Sequence, residues 1–216
     1  MKKLALVCLV AVILTCSLGA VAEDRITFRN LTWFSTQQEV NRALLADGAR
    51  NTSNLGNSEF AWRISINNQG VVSLSECVDC GYSNYYEGMS VAGYEVVFLM
   101  VSYLYPLIDG QILKDTNLGE FYTGAYELSV PESSSEQEMY DDLTRKLSYL
   151  YGDYVTGEPD PSFSDGSLAR IWTDSNGNRI LLLMDNDTAA LLYYAGKANA
   201  RLDALQFSSA DSLEGL

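Results

Sequence analysis

The sequence predicts an α+β fold, an antiparallel sheet with helices packed on one of its faces. Three observations carry that prediction. Two segments, near residues 36 and 135, open with the same helix-start grammar. Each is followed by several strand-like runs in succession, so the chain reads as two helix-then-strands pseudo-repeats, with candidate halves at 23–130 and 131–216. The pair Asn176-Gly177 lies between two such runs, which is a two-residue hairpin signal. Sequential strands after one helix favour antiparallel pairing, whereas a parallel sheet needs strand and helix to alternate.

The first 22 residues stand apart. Lys2 and Lys3 precede an apolar run from Leu4 to Leu14, and Ala20-Val21-Ala22 has the small-x-small form read by signal peptidase. Residues 1–22 are therefore expected to be a signal peptide cleaved before Glu23, giving a secreted or extracytoplasmic protein. A rival expectation takes Leu14-Thr15-Cys16 as a lipoprotein box that leaves Cys16 lipidated. A membrane span needs ~20 apolar residues, and no later run reaches that length without charge or glycine.

From Arg25 to Asn30 the chain alternates around Ile26 and Phe28, which predicts a short strand. Thr36 then suits an N-cap, with Glu39 three residues on completing a capping box. Val40, Ala43 and Leu44 follow at helical spacing until Asp47-Gly48. Strands are expected at Phe60 to Ile66, Val71 to Leu74, Tyr94 to Tyr105 and Phe121 to Leu128. Ser135 and Glu138 form the second capping box. Met139, Leu143, Leu147 and Leu150 make one apolar stripe, and Gly152 sits where a C-terminal glycine belongs. The closing strands are Leu168 to Thr173, Arg179 to Met184 and Ala189 to Tyr194. "TGEPDPSFSDGS", around Pro159 and Pro161, reads as the longest loop.

Cys77 and Cys80 form a C-x-x-C in "SECVDCGY". In an oxidising compartment the expectation is a small disulfide, with free thiols, a redox pair and a metal site weighed behind it. A redox role would place the first cysteine at a helix N-terminus, where the dipole lowers its pKa. The following Gly81 to Gly88 instead reads as turn-rich, without helical periodicity, and a second ligand pair for zinc is missing.

The segment "FRNLTWFSTQQEVNRAL" resembles the F-R-x-I-x-W-G-x-S-x-x-E-V-x-x-x-L opening of small exported proteins from gut-type Firmicutes. The match covers Phe28, Arg29, Trp33, Thr36, Glu39, Val40 and Leu44, and "VAGYEVVFLM" and "YDDLTRKLSYLYG" support it. Their helix-then-sheet units resemble the fold of the β-lactamase inhibitor protein and of the small outer-membrane assembly lipoprotein. Phe34 departs from the pattern, which has a turn glycine there, and is expected to pack as an N-terminal staple. The resemblance carries no catalytic residue. It implies a binding module in which helices cover one sheet face and the other is open to a partner.

Tyrosines are the residues to place on such a face. Tyr122 and Tyr126 share a side by their even spacing, and Tyr193 and Tyr194 point opposite ways. Tyr122, Tyr126 and Tyr193 are the candidate partner-binding residues for a protein or glycan surface. The competing reading has the same tyrosines filling a sheet–helix core with their hydroxyls at its edge.

Composition narrows the chemistry. Removal of residues 1–22 takes two of the 14 basic residues and none of the 28 acidic ones, so the net charge moves from −14 to −16. Such a polyanion argues against nucleic acid and anionic lipid as partners. The chain has no histidine, which removes Ser-His-Asp and Cys-His nucleophiles and the usual His-containing zinc sites. A glycosidase needs only two opposed carboxylates, but no motif singles out a pair. Asp174, Asn176, Asn178 and Asp185 imitate a calcium loop, yet Arg179 stands where its turn glycine is required and the next residues read as strand. The sequons at Asn30, Asn51 and Asn186 are taken as accidental in a bacterial chain. No catalytic, cofactor or metal residue is assigned. The expectation is a non-enzymatic recognition protein at or outside the cell envelope. A carboxylate-dependent hydrolase and a lipid-anchored envelope assembly factor are the alternatives.

Overall fold

The computed structural model describes residues 25–52, 58–67, 70–159, 168–185 and 188–211. The expected signal peptide, its cleavage point after Ala22, Cys16, Asn186 and most of "TGEPDPSFSDGS" lie outside them. The helices are α1 (Gln37–Ala46), α2 (Glu136–Tyr151) and α3 (Ala198–Asp211). The strands are β1 (Arg50–Asn51), β2 (Ser58–Ile66), β3 (Val71–Glu87), β4 (Ser90–Val91), β5 (Tyr94–Leu104) and β6 (Leu107–Ile108). They continue as β7 (Gln111–Ile112), β8 (Glu120–Ser129), β9 (Val155–Pro159), β10 (Ala169–Thr173), β11 (Arg179–Asp185) and β12 (Thr188–Tyr194). The architecture is α+β with a largely antiparallel sheet.

Both helices expected from capping form there. At α1 the Thr36 hydroxyl accepts from the Glu39 N–H at 3.4 Å, and the Glu39 carboxylate accepts from the Thr36 N–H at 2.9 Å. Ser135 and Glu138 repeat the exchange at α2, at 3.2 and 2.8 Å. Each box satisfies N–H groups that a helix start otherwise leaves without partners. Val40 and Leu44 are buried on α1, and Met139, Leu143 and Leu147 on α2. Leu150 departs from the expected stripe and is 56% exposed. The buried face instead runs through Tyr140, Thr144 and Leu147 to the half-buried Tyr151. Its steps of four, three and four residues follow the helical period. Gly152 closes α2 with φ +90°, as a C-terminal glycine does.

Ten strands join one sheet, and its pairings return to their starting point. From β3 the path runs through β5, β8, β12, β11, β10 and β9, then back to β3. The final link is a short parallel one, Val71 and Val72 beside Glu158 and Pro159. Strands from both sides of residue 130 thus share the sheet. β9 lies mostly in the segment read from sequence as loop, where its own Gly157 and Pro159, with Pro161 just beyond, hid it.

β3 makes this closure feasible, and it corrects the expected Val71–Leu74 strand and the turn-rich reading of Gly81 to Gly88. The strand runs through Glu87. Its first half pairs with β2, and from Gly81 to Tyr86 it pairs with β5. Small polar residues survive inside it because they are satisfied across strands, as Ser83 and Ser102 are through hydroxyls 2.7 Å apart. At the handover between partners, the buried Cys77 and Cys80 have their sulfurs at disulfide distance, with Asp79 between them at φ +62°. The C-x-x-C therefore sits in a strand, away from any helix N-terminus, and bridges a bend.

One face of the sheet carries α1 and α2. Tyr86, Leu99 and Tyr126 are paired neighbours on it, and the Tyr86 hydroxyl donates to Asn41 of α1. The segment before α1 lies on the same face rather than forming the strand expected at Arg25 to Asn30. Arg29 and Asn30 have φ +51° and +58°, and this turn drives Phe28 into the sheet. The Phe28 ring lies 5.2 to 5.6 Å from Phe121, Tyr126 and Tyr193. It sits over Gly124, where an added Cβ would come within 2.6 Å of the ring. Trp33 stacks on Phe121 at 5.2 Å, and its Nε1–H donates to the Ile26 carbonyl at 3.0 Å. Phe34 takes φ +65° and packs against the core while Arg201 lies over its ring.

The opposite face receives β2 and α3, a helix the sequence reading did not anticipate. Among the described residues β2 has no second strand partner, and side chains fill that place. The Trp62 N–H donates to the Tyr122 hydroxyl at 2.6 Å, and that hydroxyl donates to the Trp62 carbonyl at 3.1 Å. The Ile64 N–H donates to the Tyr194 hydroxyl, and the Asn199 side chain at the start of α3 donates to the Ile64 carbonyl. The Asn176-Gly177 turn is also longer than two residues. Thr173 pairs with Arg179, and the Asp174 carboxylate gathers the N–H groups of Asn176, Asn178 and Ile26.

Two stability tests follow from these contacts. In chemical denaturation, Thr36→Ala should lose ~1 kcal/mol as a missing cap and Leu44→Ala ~2–5 kcal/mol as a cavity. Glu39→Gln should stay near wild type, because glutamine can still close the box. Tyr122→Phe should lose ~1–3 kcal/mol, the penalty of stranding the β2 backbone groups. A Tyr122→Phe protein as stable as wild type would show that the hydroxyl does not hold β2.

Candidate functional site

The three tyrosines expected to meet a partner are in the core. Tyr122, Tyr126 and Tyr193 are all buried, which favours the packing alternative over an open tyrosine face. Nor do Tyr122 and Tyr126 share a side. β5 and β8 shift register between Ser102 and Tyr103, leaving Tyr122 as the extra residue between Phe121 and Thr123. That bulge turns Tyr122 toward Tyr194, while Tyr126 stays with Phe28 and accepts from Arg29 at 3.2 Å. An even-spacing argument fails across a bulge.

A different group of residues forms a concave site. A groove of about 420 Å³ lies between α2 and the β9–β10 edge, lined by Glu136, Gln137, Tyr140, Tyr154, Thr156, Leu168, Arg170 and Met184. α2 presents Glu136, Gln137 and Tyr140 together because they are three and four residues apart. Thr156, Arg170 and Leu182 are cross-strand partners, so they share the face on which α2 lies.

Arg170 organises the groove. Its guanidinium carbon is 4.1 Å from the Tyr140 ring centroid and 5.2 Å from that of Tyr154, so the cation lies between two aromatic rings. Nη2 meets Asp141 at 3.1 Å, and Nη1 donates to the Thr144 hydroxyl and the Tyr140 carbonyl. Trp172 supports Tyr154 from the side at 5.4 Å and donates from Nε1 to the Gly152 carbonyl. The Tyr140 hydroxyl donates to the Leu168 carbonyl, and burial pushes its pKa up to about 12. Tyr154 is 38% exposed and Leu168 is exposed, which leaves an aromatic and apolar wall accessible.

Several carboxyls are shifted by contacts that can be named. Asp141 is held below its usual range by the Gln137 side chain and then by Arg170. Asp142 is lowered chiefly by Lys146, and Glu39 and Glu138 by their capping bonds. Among the described residues lining the groove, Glu136 is the acidic one. Among the described residues, no group of three or more His, Cys, Asp or Glu is arranged to hold a metal ion. No described helix is long and apolar enough to cross a membrane.

Compared with known proteins, the chain matches no family model, no curated protein and no solved structure. The groove therefore rests on its own geometry. Its signal in the sequence was a single charge, Arg170, two residues before Trp172 in a run otherwise read as a buried strand.

The ionisations set two expectations. The depressed carboxyls contribute stability that is complete above their usual values near ~4 and is lost as pH falls below them. Thermal unfolding midpoints should therefore drop on acidification through that range, and an Asp142→Asn variant should drop less. Eleven of the 14 tyrosines, Tyr86, Tyr126, Tyr140 and Tyr194 among them, are held above their ordinary value chiefly by burial. Spectrophotometric titration should show these eleven ionising above the ordinary tyrosine value near ~10. Ionisation of all 14 near pH ~10 in the folded protein would contradict the packed tyrosine core.

Proposed function

We propose that the protein is an exported, non-enzymatic recognition module acting at or outside the cell envelope, and that it engages its partner through the groove around Tyr154 and Arg170. The observation that carries this reading is the Tyr140–Arg170–Tyr154 sandwich. It sets an exposed aromatic wall beside the polar lining residues Glu136, Gln137 and Thr156. Preorganised aromatic surface loses little conformational freedom on binding. The signal-peptide features of residues 1–22 support the extracytoplasmic setting.

A hydrolase of the glycosidase type draws less support, since two carboxylates must face each other across the bound substrate and the described lining of the groove presents Glu136 alone. A lipid-anchored assembly role depends on Cys16. The experiment is hydrogen-exchange footprinting of the exported protein with and without an envelope extract of the producing organism. Protection is expected at Glu136 to Tyr140 and Tyr154 to Thr156, and Tyr154→Ala should abolish it. Protection confined to other surfaces, or turnover of a glycoside substrate, would overturn the proposal.

A further inference from the structure

We infer that the groove takes an uncharged, hydroxyl-rich saccharide, an inference that rests on the groove being the recognition site. Three features point to that chemistry. Tyr154 offers an accessible ring backed by Arg170 and Trp172, which suits the flat C–H face of a sugar ring. The groove's interior charges already neutralise one another. Arg170 is bound to Asp141, Thr144 and the Tyr140 carbonyl, and Asp141 also engages the Gln137 side chain. No strong field remains to select an anion, and the Tyr140 face that might select a cation is occupied by Arg170.

The exposed rim supplies Gln137 and Thr156, neutral groups that both donate and accept, with Glu136 as an acceptor. Sugar hydroxyls need such a mixture around an aromatic platform. A volume of about 420 Å³ lies within the range of roughly 300–1,000 Å³ typical of small-ligand sites. That suits a short saccharide segment better than the broad surface of a folded protein. A cationic peptide is the competing ligand, and among the described lining residues Glu136 is the negative charge that would attract it.

The test is calorimetric titration of the exported protein with three hexasaccharides: β-1,4-linked N-acetylglucosamine, β-1,4-linked glucose and α-1,4-linked glucose. Decalysine serves as the cationic probe. At least one saccharide should bind and decalysine should not. Tyr154→Ala and Gln137→Ala should each weaken saccharide binding at least tenfold in protein that still unfolds cooperatively, which separates lost groove contacts from a lost fold. Failure of all three saccharides, binding of decalysine instead, or full saccharide binding by Tyr154→Ala would overturn the inference. A footprint at Tyr154 without any saccharide response would retain the recognition site and remove the saccharide. Saccharide binding unaffected by Tyr154→Ala would remove the groove as well.

Discussion

An edge strand cannot be left unsatisfied, and the organisation of this fold depends on how β2 meets that constraint. Its outward backbone groups, at Trp62 and Ile64, bond to Tyr122, Tyr194 and Asn199 instead of to another strand. The two tyrosines come from β8 and β12, and Asn199 from α3, so one satisfied edge ties together three distant parts of the chain. Hydroxyls in these positions also block strand addition by another molecule, which is how natural sheets manage exposed edges. The tyrosine richness is explained here by the demands of burial and edge satisfaction.

The other face depends on a matched pair of sizes. Gly124 leaves a hollow in β8, and Phe28 fills it from a segment whose tight turn would be awkward for most residues. Around that point Phe121, Tyr126, Tyr193 and Trp33 complete an aromatic layer under α1. Removing the glycine or the aromatic would each open or overfill the same space.

Elements governed by local chemistry were legible from the amino acids. Both capping boxes and Gly152 stand where their residue types required, because a cap is decided by neighbours within four positions. Elements governed by distant partners were not. β3 beyond Leu74 mixes Ser, Asn, Gly and acidic residues with its tyrosines, and pairing with β2 and then β5 shows it to be strand. β9 was masked by Gly157 and Pro159, and the short apolar stripe of α3 at Ala198, Leu202 and Leu205 went unread. The bulge at Tyr122 is set by register with β5, which no single segment reveals, and it reversed the expected side of one tyrosine. Of the groove, only Arg170 left a trace in the sequence. Its convergence with Gln137 and Tyr154 depends on where α2 settles on the sheet.

The short link between β3 and β9 carries a consequence for how the protein is made. It brings residue 72 beside residue 159, so the loop it closes spans much of the chain and carries a large entropic penalty. Only two residue pairs offset that penalty directly, and the intervening strands must already be ordered to present β9 at the right height. A chain emerging in order from its N-terminus holds β3 long before β9 exists. Until synthesis passes residue 159, that flank of β3 stays without its native neighbour, a period in which off-pathway pairing has to be avoided.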